Sequence, residues 1–266
     1  MTMNSLNYEG KTALVTGCSS GIGNATCDVL STLNAHVIGV DHVPPSTTNV
    51  AEFIPADLRA IASIDRALAA LNQPIDVLIN CAGVSPTQPA EQIVRVNFIG
   101  TRYLTEGIAR TMRSGSAIVN VGSIGGAAWS KHVAQLLEFL RVDDPEAAWR
   151  WYEAHGEFAQ DAYCFSKEAI VVWTKQLAAT AIERGIRVNC TAPGSVQTPM
   201  LTDIENNLPG ANVDRVTHPI GRRSSPEEQA WALVFLGSSM AAYINGVDLA
   251  VDGGAISTQL IGGFGG

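Results

Sequence analysis

Short apolar runs alternate along the chain with longer stretches whose apolar residues recur at helical spacing. The runs are 13–15, 36–41, 52–57, 75–80, 117–121, 186–191 and 247–251. The stretches between them predict helices, the longest over about 93–112 and 162–184. Strands that alternate with helices of this length favour a parallel sheet with helices on both faces. We therefore predict an α/β fold, a doubly wound Rossmann-type parallel sheet of about seven strands.

No linker-like stretch divides the 266 residues, so we expect a single domain over 1–266. A chain of this length can bury roughly three quarters of the surface that it exposes when unfolded. Hydrophobic residues make up 46% and charged residues 16%, with a mean hydropathy of +0.14, which excludes a disordered protein.

Charge and cysteine usage exclude several classes of partner. The net charge of −8 and pI of about 5.1 offer no attraction for nucleic acid or an anionic membrane. No apolar run approaches the ~18 residues of a membrane span, and the polar start lacks a signal peptide. The five cysteines form no CxxC pair, which argues against disulfides and structural zinc. We expect a reduced, cytoplasmic protein without a metal.

A glycine-rich turn follows the first strand and opens a helix, the setting in which such turns bind phosphate. Glycines let the backbone approach a pyrophosphate, and the helix start presents free N–H groups. The candidate contacts are Gly17, Ser19, Ser20, Gly21, Ile22 and Gly23. The spacing is not GxGxxG, so a tight strand–helix junction without a ligand is the alternative.

Asp41 ends the second strand, 24 residues after Gly17. A carboxylate at this point can accept hydrogen bonds from the adenine ribose hydroxyls and repels a 2′-phosphate. No Arg or Lys occurs from Cys18 to Val43 to bind such a phosphate. The pattern favours NAD over NADP, the alternative being a surface aspartate with no ligand.

Several short motifs then follow in a fixed order. They are TGCSSGIG (16–23), Asp57-Leu58, Asn80-Cys-Ala-Gly83, Asn97, Ser123, Tyr163-x3-Lys167 and Pro193-Gly194. In this order the chain resembles the short-chain dehydrogenase/reductase family over nearly its whole length, from about Lys11 to Gly254. The resemblance implies further cofactor contacts at Asp57, Leu58, Asn80, Ala82, Gly83, Tyr163, Lys167, Pro193, Gly194, Val196 and Thr198.

The resemblance also implies four catalytic residues, Asn97, Ser123, Tyr163 and Lys167. Tyr163 and Lys167 are spaced i, i+4 and so project from one helix face. A lysine ammonium beside a tyrosine, helped by the positive nicotinamide, can lower the phenol pKa from its usual value near 10, which would make Tyr163 a general acid/base. Ser123 would donate to the substrate oxygen, Lys167 would hold the nicotinamide ribose, and Asn97 would hold a water that links Lys167 to solvent. Any one of these residues alone would indicate no more than packing.

Ser123 and Tyr163 are 40 residues apart, a much longer gap than in most of the family. This insertion, 124–160, carries three tryptophans and two histidines and predicts two helices. It can wall the substrate cleft or cover the Tyr163 helix, which many relatives use to pair subunits. A solvated helical hairpin is the alternative. His132 and His155 have no evident third ligand, so we expect no metal site.

The insertion, with Tyr163–Lys167 and Ile244–Gly254, resembles the branch that holds 3α-hydroxysteroid dehydrogenase/carbonyl reductases and coniferyl-alcohol dehydrogenases. This resemblance implies NAD-dependent hydride transfer with a bulky hydrophobic or aromatic alcohol or ketone. We expect a pocket formed by Ser85, Ile124, the insertion and Met200–Val216, and a homodimer through residues near Glu227–Gly254, with a tetramer as the alternative. A ketoacyl-type reductase and a catalytically idle NAD(H) sensor or scaffold are the rival functions.

Overall fold

The computed structural model describes residues 6–45, 48–158, 161–208, 213 and 219–262. Seven parallel strands form one sheet in the order β3-β2-β1-β4-β5-β6-β7. The strands are β1 (Thr12–Thr16), β2 (His36–Asp41), β3 (Glu52–Pro55), β4 (Val77–Asn80), β5 (Ala117–Val121), β6 (Arg187–Pro193) and β7 (Asp248–Val251). The predicted doubly wound fold is confirmed. The strand order reverses between β1 and β4, and the crevice at such a point is where ligands bind.

Helices cover both faces of the sheet. They are α1 (Gly21–Thr32), α2 (Ile61–Ala70), α3 (Ala90–Val94), α4 (Thr101–Ala109), α5 (Val133–Leu140), α6 (Pro145–Ala154), α7 (Ala162–Ala181), α8 (Pro199–Asn207), α9 (Pro226–Gly237) and α10 (Ala255–Gly262). Alternate strand residues point to opposite faces. Ala13 and Val15 therefore pack with α1 and α9, whereas Leu14 packs with α2, α4 and the end of α7. No helix among the described residues is long and apolar enough to cross a membrane.

The long helix predicted over 93–112 contains a π-helical turn, Arg95–Gly100, between α3 and α4. A Cβ added at Gly100 would lie 2.0 Å from the Leu58 carbonyl oxygen, so only glycine permits this approach. Asn97 lies within the turn, and π-turns of this kind occur frequently at functional sites. Apolar periodicity does not reveal such a turn.

Some predicted element ends move by a few residues. β3 ends at Pro55, two residues early, on an edge strand where proline is tolerated. β6 extends to Pro193. A capping box begins α9, since Glu228 N donates to Ser225 Oγ at 3.2 Å and Ser225 N to Glu228 Oε2 at 2.9 Å.

The insertion forms α5 and α6, preceded by two short 3₁₀ turns, and its last residues, 159–160, lie outside the described part. Phe139 of α5 and Tyr152 of α6 are fully buried against Phe165 and Ile170 of α7. Their rings contact one another, with the Phe139 and Phe165 centroids 5.0 Å apart. The insertion is therefore packed onto the outer face of α7 and is not a solvated hairpin.

Candidate active site

One cavity of about 320 Å³ runs across the carboxyl ends of the central strands. It is lined by the glycine-rich turn, by the loops after β2, β3, β4, β5 and β6, and by α7 and α8. Seventeen of the eighteen residues predicted from the sequence to bind the cofactor line this cavity, as does the predicted catalytic residue Ser123. The seventeen are Gly17, Ser19, Ser20, Gly21, Ile22, Gly23, Asp41, Asp57, Leu58, Ala82, Gly83, Tyr163, Lys167, Pro193, Gly194, Val196 and Thr198.

The glycine-rich turn leaves space for a ligand at the start of α1. Gly17 has a φ of +70°, a backbone conformation that other residues rarely adopt. A Cβ added at Gly23 would lie 2.0 Å from the Gly17 carbonyl oxygen, so the turn needs glycine there as well. The N-cap residue Ser20 makes no side-chain cap bond, which leaves first-turn N–H groups of α1 able to bind an anion.

Asp41 is fixed beside this turn. Its Oδ2 accepts hydrogen bonds from Ser19 N (3.1 Å) and Ser19 Oγ (2.7 Å), and its Oδ1 accepts one from His42 N (2.7 Å). Burial opposes ionisation, but these hydrogen bonds outweigh it and lower the pKa of Asp41. A charged carboxylate therefore stands at this end of the cavity at neutral pH.

Arg59, which the sequence analysis did not single out, also lines this end. Its Nε and Nη2 bind both carboxylate oxygens of Asp57, at 2.7–3.0 Å. The hydrogen bonds from Arg59 lower the pKa of Asp57. Arg59 follows the predicted contact Asp57 by two residues in the sequence. This closeness in sequence is the signal that could have identified it.

Ser123, Tyr163 and Lys167 meet at the other end of the cavity. Ser123 follows β5, and its Oγ accepts a hydrogen bond from Gly125 N at 3.0 Å. Lys167 is 5% exposed, and its Nζ donates to the Val121 carbonyl at 3.0 Å and lies 5.7 Å from the Tyr163 ring centroid. Consecutive turns of α7 thus place Tyr163 and Lys167 beside the end of β5.

In the protein without a cofactor, burial rather than Lys167 decides the direction in which the pKa of Tyr163 shifts. Burial raises the pKa of Tyr163, and the hydrogen bond with Ser123 only partly opposes it. Burial also lowers the pKa of Lys167 to about 8. The ammonium is turned toward the Val121 carbonyl rather than the phenol oxygen, which explains why desolvation dominates at both groups.

Asn97 lies beside this end but outside the lining. Its Oδ1 accepts from Val84 N at 2.7 Å, and its Nδ2 donates to Val84 O at 3.3 Å and Ser166 Oγ at 3.4 Å. A Cβ added at Gly83 would lie 3.4 Å from Asn97 Oδ1 and 3.8 Å from Lys167 Nζ, so the two side chains approach each other there. Asn97 holds the loop after β4 in place and faces Lys167 across Gly83.

Asn80 is the one predicted cofactor residue that the structure places away from the cavity. Its Nδ2 donates to Thr105 Oγ1 and Asn120 Oδ1, both at 2.8 Å, and its Oδ1 has no partner among the described residues. Asn80 is the last residue of β4 rather than part of the loop after it, and its side chain is bonded to Thr105 and Asn120 instead of lining the cavity.

The predicted substrate pocket is corrected in part. Ser85 and Ile124 do not line the cavity, and none of the insertion's described residues does. Within the predicted segment Met200–Val216, Met200, Leu201 and Ile204 line it, while residues 209–212 and 214–216 lie outside the described part. Val84 and Gln92 also line the cavity. Thr198 as an N-cap, Pro199 at N1 and apolar residues at 200, 201 and 204 form a pattern that could have predicted α8.

The two histidines of the insertion have local partners. His132 Nδ1 lies 2.7 Å from Glu168 Oε2 of α7, and His155 stacks on Trp151 at 3.6 Å between ring centroids. The described residues contain no group of three or more metal-ligating side chains. His132 thus joins the insertion to α7, and His155 packs within the insertion.

Comparisons with known proteins agree with this geometry. The profile described as short chain dehydrogenase matches residues 11–135, and that described as enoyl-(acyl carrier protein) reductase matches residues 153–256. The coniferyl-alcohol dehydrogenase of a Pseudomonas strain is 36% identical over 256 residues, which cover 96% of this chain and 100% of that protein. The chain belongs to the short-chain dehydrogenase family.

Two further relatives of this short-chain dehydrogenase are hydroxysteroid enzymes. The 3-alpha-hydroxysteroid dehydrogenase/carbonyl reductase of Comamonas testosteroni is 31% identical, over 91% of this chain and 95% of that protein. The crystal structure of the 3-alpha-hydroxysteroid dehydrogenase of Pseudomonas sp. B-0831, complexed with NADH, superposes with a TM-score of 0.82 at 30% identity, covering 94% and 98% of the chains. The protein is therefore an oxidoreductase of a family that binds nicotinamide cofactors.

Proposed function

We propose that this dehydrogenase transfers hydride between NAD(H) and a bulky hydrophobic or aromatic alcohol or its carbonyl counterpart. The observation that carries the proposal is the single cavity with Asp41 at one end and Ser123, Tyr163 and Lys167 at the other. Apolar side chains of α8 line the same cavity. Relatives named for coniferyl alcohol and 3α-hydroxysteroids support this substrate class.

The residues present fit a nicotinamide dinucleotide. The start of α1 offers N–H groups to a pyrophosphate, and Asp41 offers an ionised carboxylate to ribose hydroxyls. The same carboxylate disfavours a 2′-phosphate. Among the described lining residues at this end, Arg59 carries the one permanent positive charge, and Asp57 holds it in a bidentate pair. These features support NAD over NADP.

The bound cofactor would supply the hydride acceptor or donor. Ser123 Oγ already accepts from Gly125 N, so its hydroxyl proton remains to be donated to the substrate oxygen. Tyr163 would take the alcohol proton during oxidation and return it during reduction. Beside a bound, positively charged nicotinamide, the buried Lys167 ammonium would favour the phenolate, and Ser123 would stabilise charge on the substrate oxygen. The protein's share of the chemistry is orientation and electrostatics.

Absorbance at 340 nm tests this proposal. A panel of 3α-hydroxysteroids, coniferyl and cinnamyl alcohols and alicyclic secondary alcohols would be offered with NAD and with NADP. We expect turnover of at least one of these compounds with NAD. Its kcat/KM should be about tenfold or more above that with NADP, because the negative charge of Asp41 repels the 2′-phosphate of NADP and weakens its binding. NADP-dependent reduction of a 3-ketoacyl thioester would favour the ketoacyl-type reductase, and tight NADH binding without turnover the sensor.

We also propose a homodimer that forms through α9, β7 and their neighbours, residues 227–254. The insertion covers the face of α7 that carries Phe165 and Ile170. In contrast, Trp231, Met240 and Tyr243 are 41%, 51% and 105% exposed. Apolar side chains exposed close together in sequence and fold are typical of an interface.

Light scattering after gel filtration would test the dimer. We expect twice the chain mass of 28.1 kDa for the wild type and a single chain mass for Trp231→Glu, because a buried unpaired charge opposes association. Leu137→Glu, on the exposed side of α5, is the matched control and should remain dimeric. A tetramer, or a dimer broken by Leu137→Glu, would place the interface on the insertion instead.

A further inference from the structure

The cavity is covered on one side by α8, whose position depends on its contacts with other segments. Met200, Leu201 and Ile204 lie on the face of α8 that lines the cavity. Thr198 caps the helix by accepting from Leu201 N at 3.3 Å, and Pro199 occupies its first turn. Contacts made by the other side chains of this nine-residue helix therefore determine how closely its apolar face can approach a bound substrate.

The loop 84–88, between β4 and α3, lies next to α8 at the edge of the cavity. Val84 lines the cavity, and Asn97 holds its backbone through both N–H and C=O. Ser85 is buried, and its Oγ accepts from Thr87 N at 3.1 Å. This loop is therefore a fixed support.

One side-chain hydrogen bond joins α8 to that support across 116 residues of sequence. Thr87 Oγ1 donates to Asp203 Oδ2 at 2.5 Å. Ser85 Oγ lies 2.9 Å from Thr87 Oγ1, and Asn207 Nδ2 donates to Asp203 Oδ1 at 2.8 Å. Both partners are thus oriented by a neighbour on their own segment. At another edge of α8, Glu205 forms an ion pair with Arg223 at 2.5 Å.

We propose that Asp203 is a positioning residue that, through Thr87, holds α8 closed against the substrate. The inference rests on the proposed function, since it assigns α8 to the binding of the apolar part of the alcohol. Among the described residues, the side-chain hydrogen bonds of Asp203 go to Thr87 and Asn207 and not to Ser123, which follows β5, or to Tyr163 and Lys167 of α7. Loss of the Thr87–Asp203 hydrogen bond would therefore weaken the binding of an apolar substrate while the proton-transfer groups stay in place.

Kinetics of variants that remove either partner of the hydrogen bond test the role. A hydrogen bond to a charged group is one of the stronger kinds, so we expect Thr87→Val and Asp203→Ala each to raise KM about tenfold, with kcat within about twofold of wild type. Thr87→Ser restores the hydroxyl and should restore KM. Thr202→Val is the matched control, because within the described part of the chain the Thr202 hydroxyl donates to the carbonyl of Thr198, the N-cap of its own helix. The double variant Thr87→Val/Asp203→Ala should be no worse than either single variant.

Hydrogen exchange provides a readout that does not depend on turnover. In the NADH complex, we expect the amides of 200–207 to exchange about tenfold faster in Thr87→Val and Asp203→Ala than in wild type, with α9 unchanged. NADH affinity, from its fluorescence, should stay within about threefold, since neither Thr87 nor Asp203 lines the cavity. If no alcohol is turned over, the proposed function fails. The exchange experiment still shows whether the Thr87–Asp203 hydrogen bond holds α8 in place.

Three outcomes would overturn the proposal. They are unchanged exchange over 200–207, a KM within about twofold of wild type in Thr87→Val, and single effects that multiply in the double variant. A loss of NADH affinity as large as the rise in KM would also overturn it, because it would indicate a general disturbance of the cavity.

Discussion

Tyr163→Phe is expected to lower kcat for alcohol oxidation by about a thousandfold, in the range of a lost general acid/base. The phenol oxygen is the group placed beside Ser123 at the reactive end of the cavity, and phenylalanine keeps the ring but cannot carry the proton. NADH affinity should change by less than about threefold, which separates chemistry from binding. Tyr103→Phe is the control, because the Tyr103 hydroxyl bonds to Asp65 at the surface.

The pH dependence of the wild type follows from the same residue. Oxidation needs the Tyr163 phenolate and reduction needs the phenol. Because burial raises the pKa of Tyr163, the phenol predominates at neutral pH in the free protein. The oxidation rate should therefore rise with pH toward that pKa, and the reduction rate should fall above it. Residual activity of Tyr163→Phe that keeps the same profile would contradict the assignment.

Lys167→Met is expected to lower kcat by about a hundredfold at pH 7, because it removes the buried ammonium that would favour the phenolate. Burial lowers the pKa of Lys167 to about 8, so the group is charged at pH 7. Methionine has a similar length and no charge. The measurement is kcat at saturating alcohol and NAD, with Lys11→Met as the control, since Lys11 is exposed in a surface ion pair with Asp76.

The same substitution should raise Tm at pH 7 in the absence of cofactor. The pKa of Lys167 in the folded protein lies below its unfolded value, so the folded state binds fewer protons between about pH 8 and the unfolded pKa of about 10.5. The wild type therefore gains stability as pH rises through this window, and the advantage of methionine shrinks. A Tm that falls at pH 7 would show that the Val121 hydrogen bond outweighs the cost of the buried charge.

The sequence predicted the site well at positions where the backbone conformation or the chemistry allows only one type of residue. Gly17 and Gly23 predicted the turn because only glycine fits a positive φ or a Cβ position filled by a carbonyl. The i, i+4 spacing of Tyr163 and Lys167 predicted their common face on α7. The spacing of apolar residues, with Gly and Pro at the ends of elements, predicted all seven strands and both helices of the insertion.

What the sequence could not provide depends on contacts between distant segments. The orientation of Lys167 toward Val121 decides which effect dominates its pKa, and no spacing encodes that orientation. The π-turn at Asn97 depends on the approach of Leu58 to Gly100. Thr87 and Asp203 are 116 residues apart and meet only because the loop after β4 and α8 flank the same cavity.

The central claim is that hydride passes between the carbinol carbon of a hydrophobic alcohol and NAD. The most direct measurement uses the alcohol that is turned over fastest, prepared with deuterium on its carbinol carbon, followed by mass spectrometry of the reduced cofactor. The account predicts one deuterium in each NADH formed, with the hydroxyl proton lost to solvent. NADH that carries no deuterium, or deuterium that is found in NADPH and not in NADH, would contradict it.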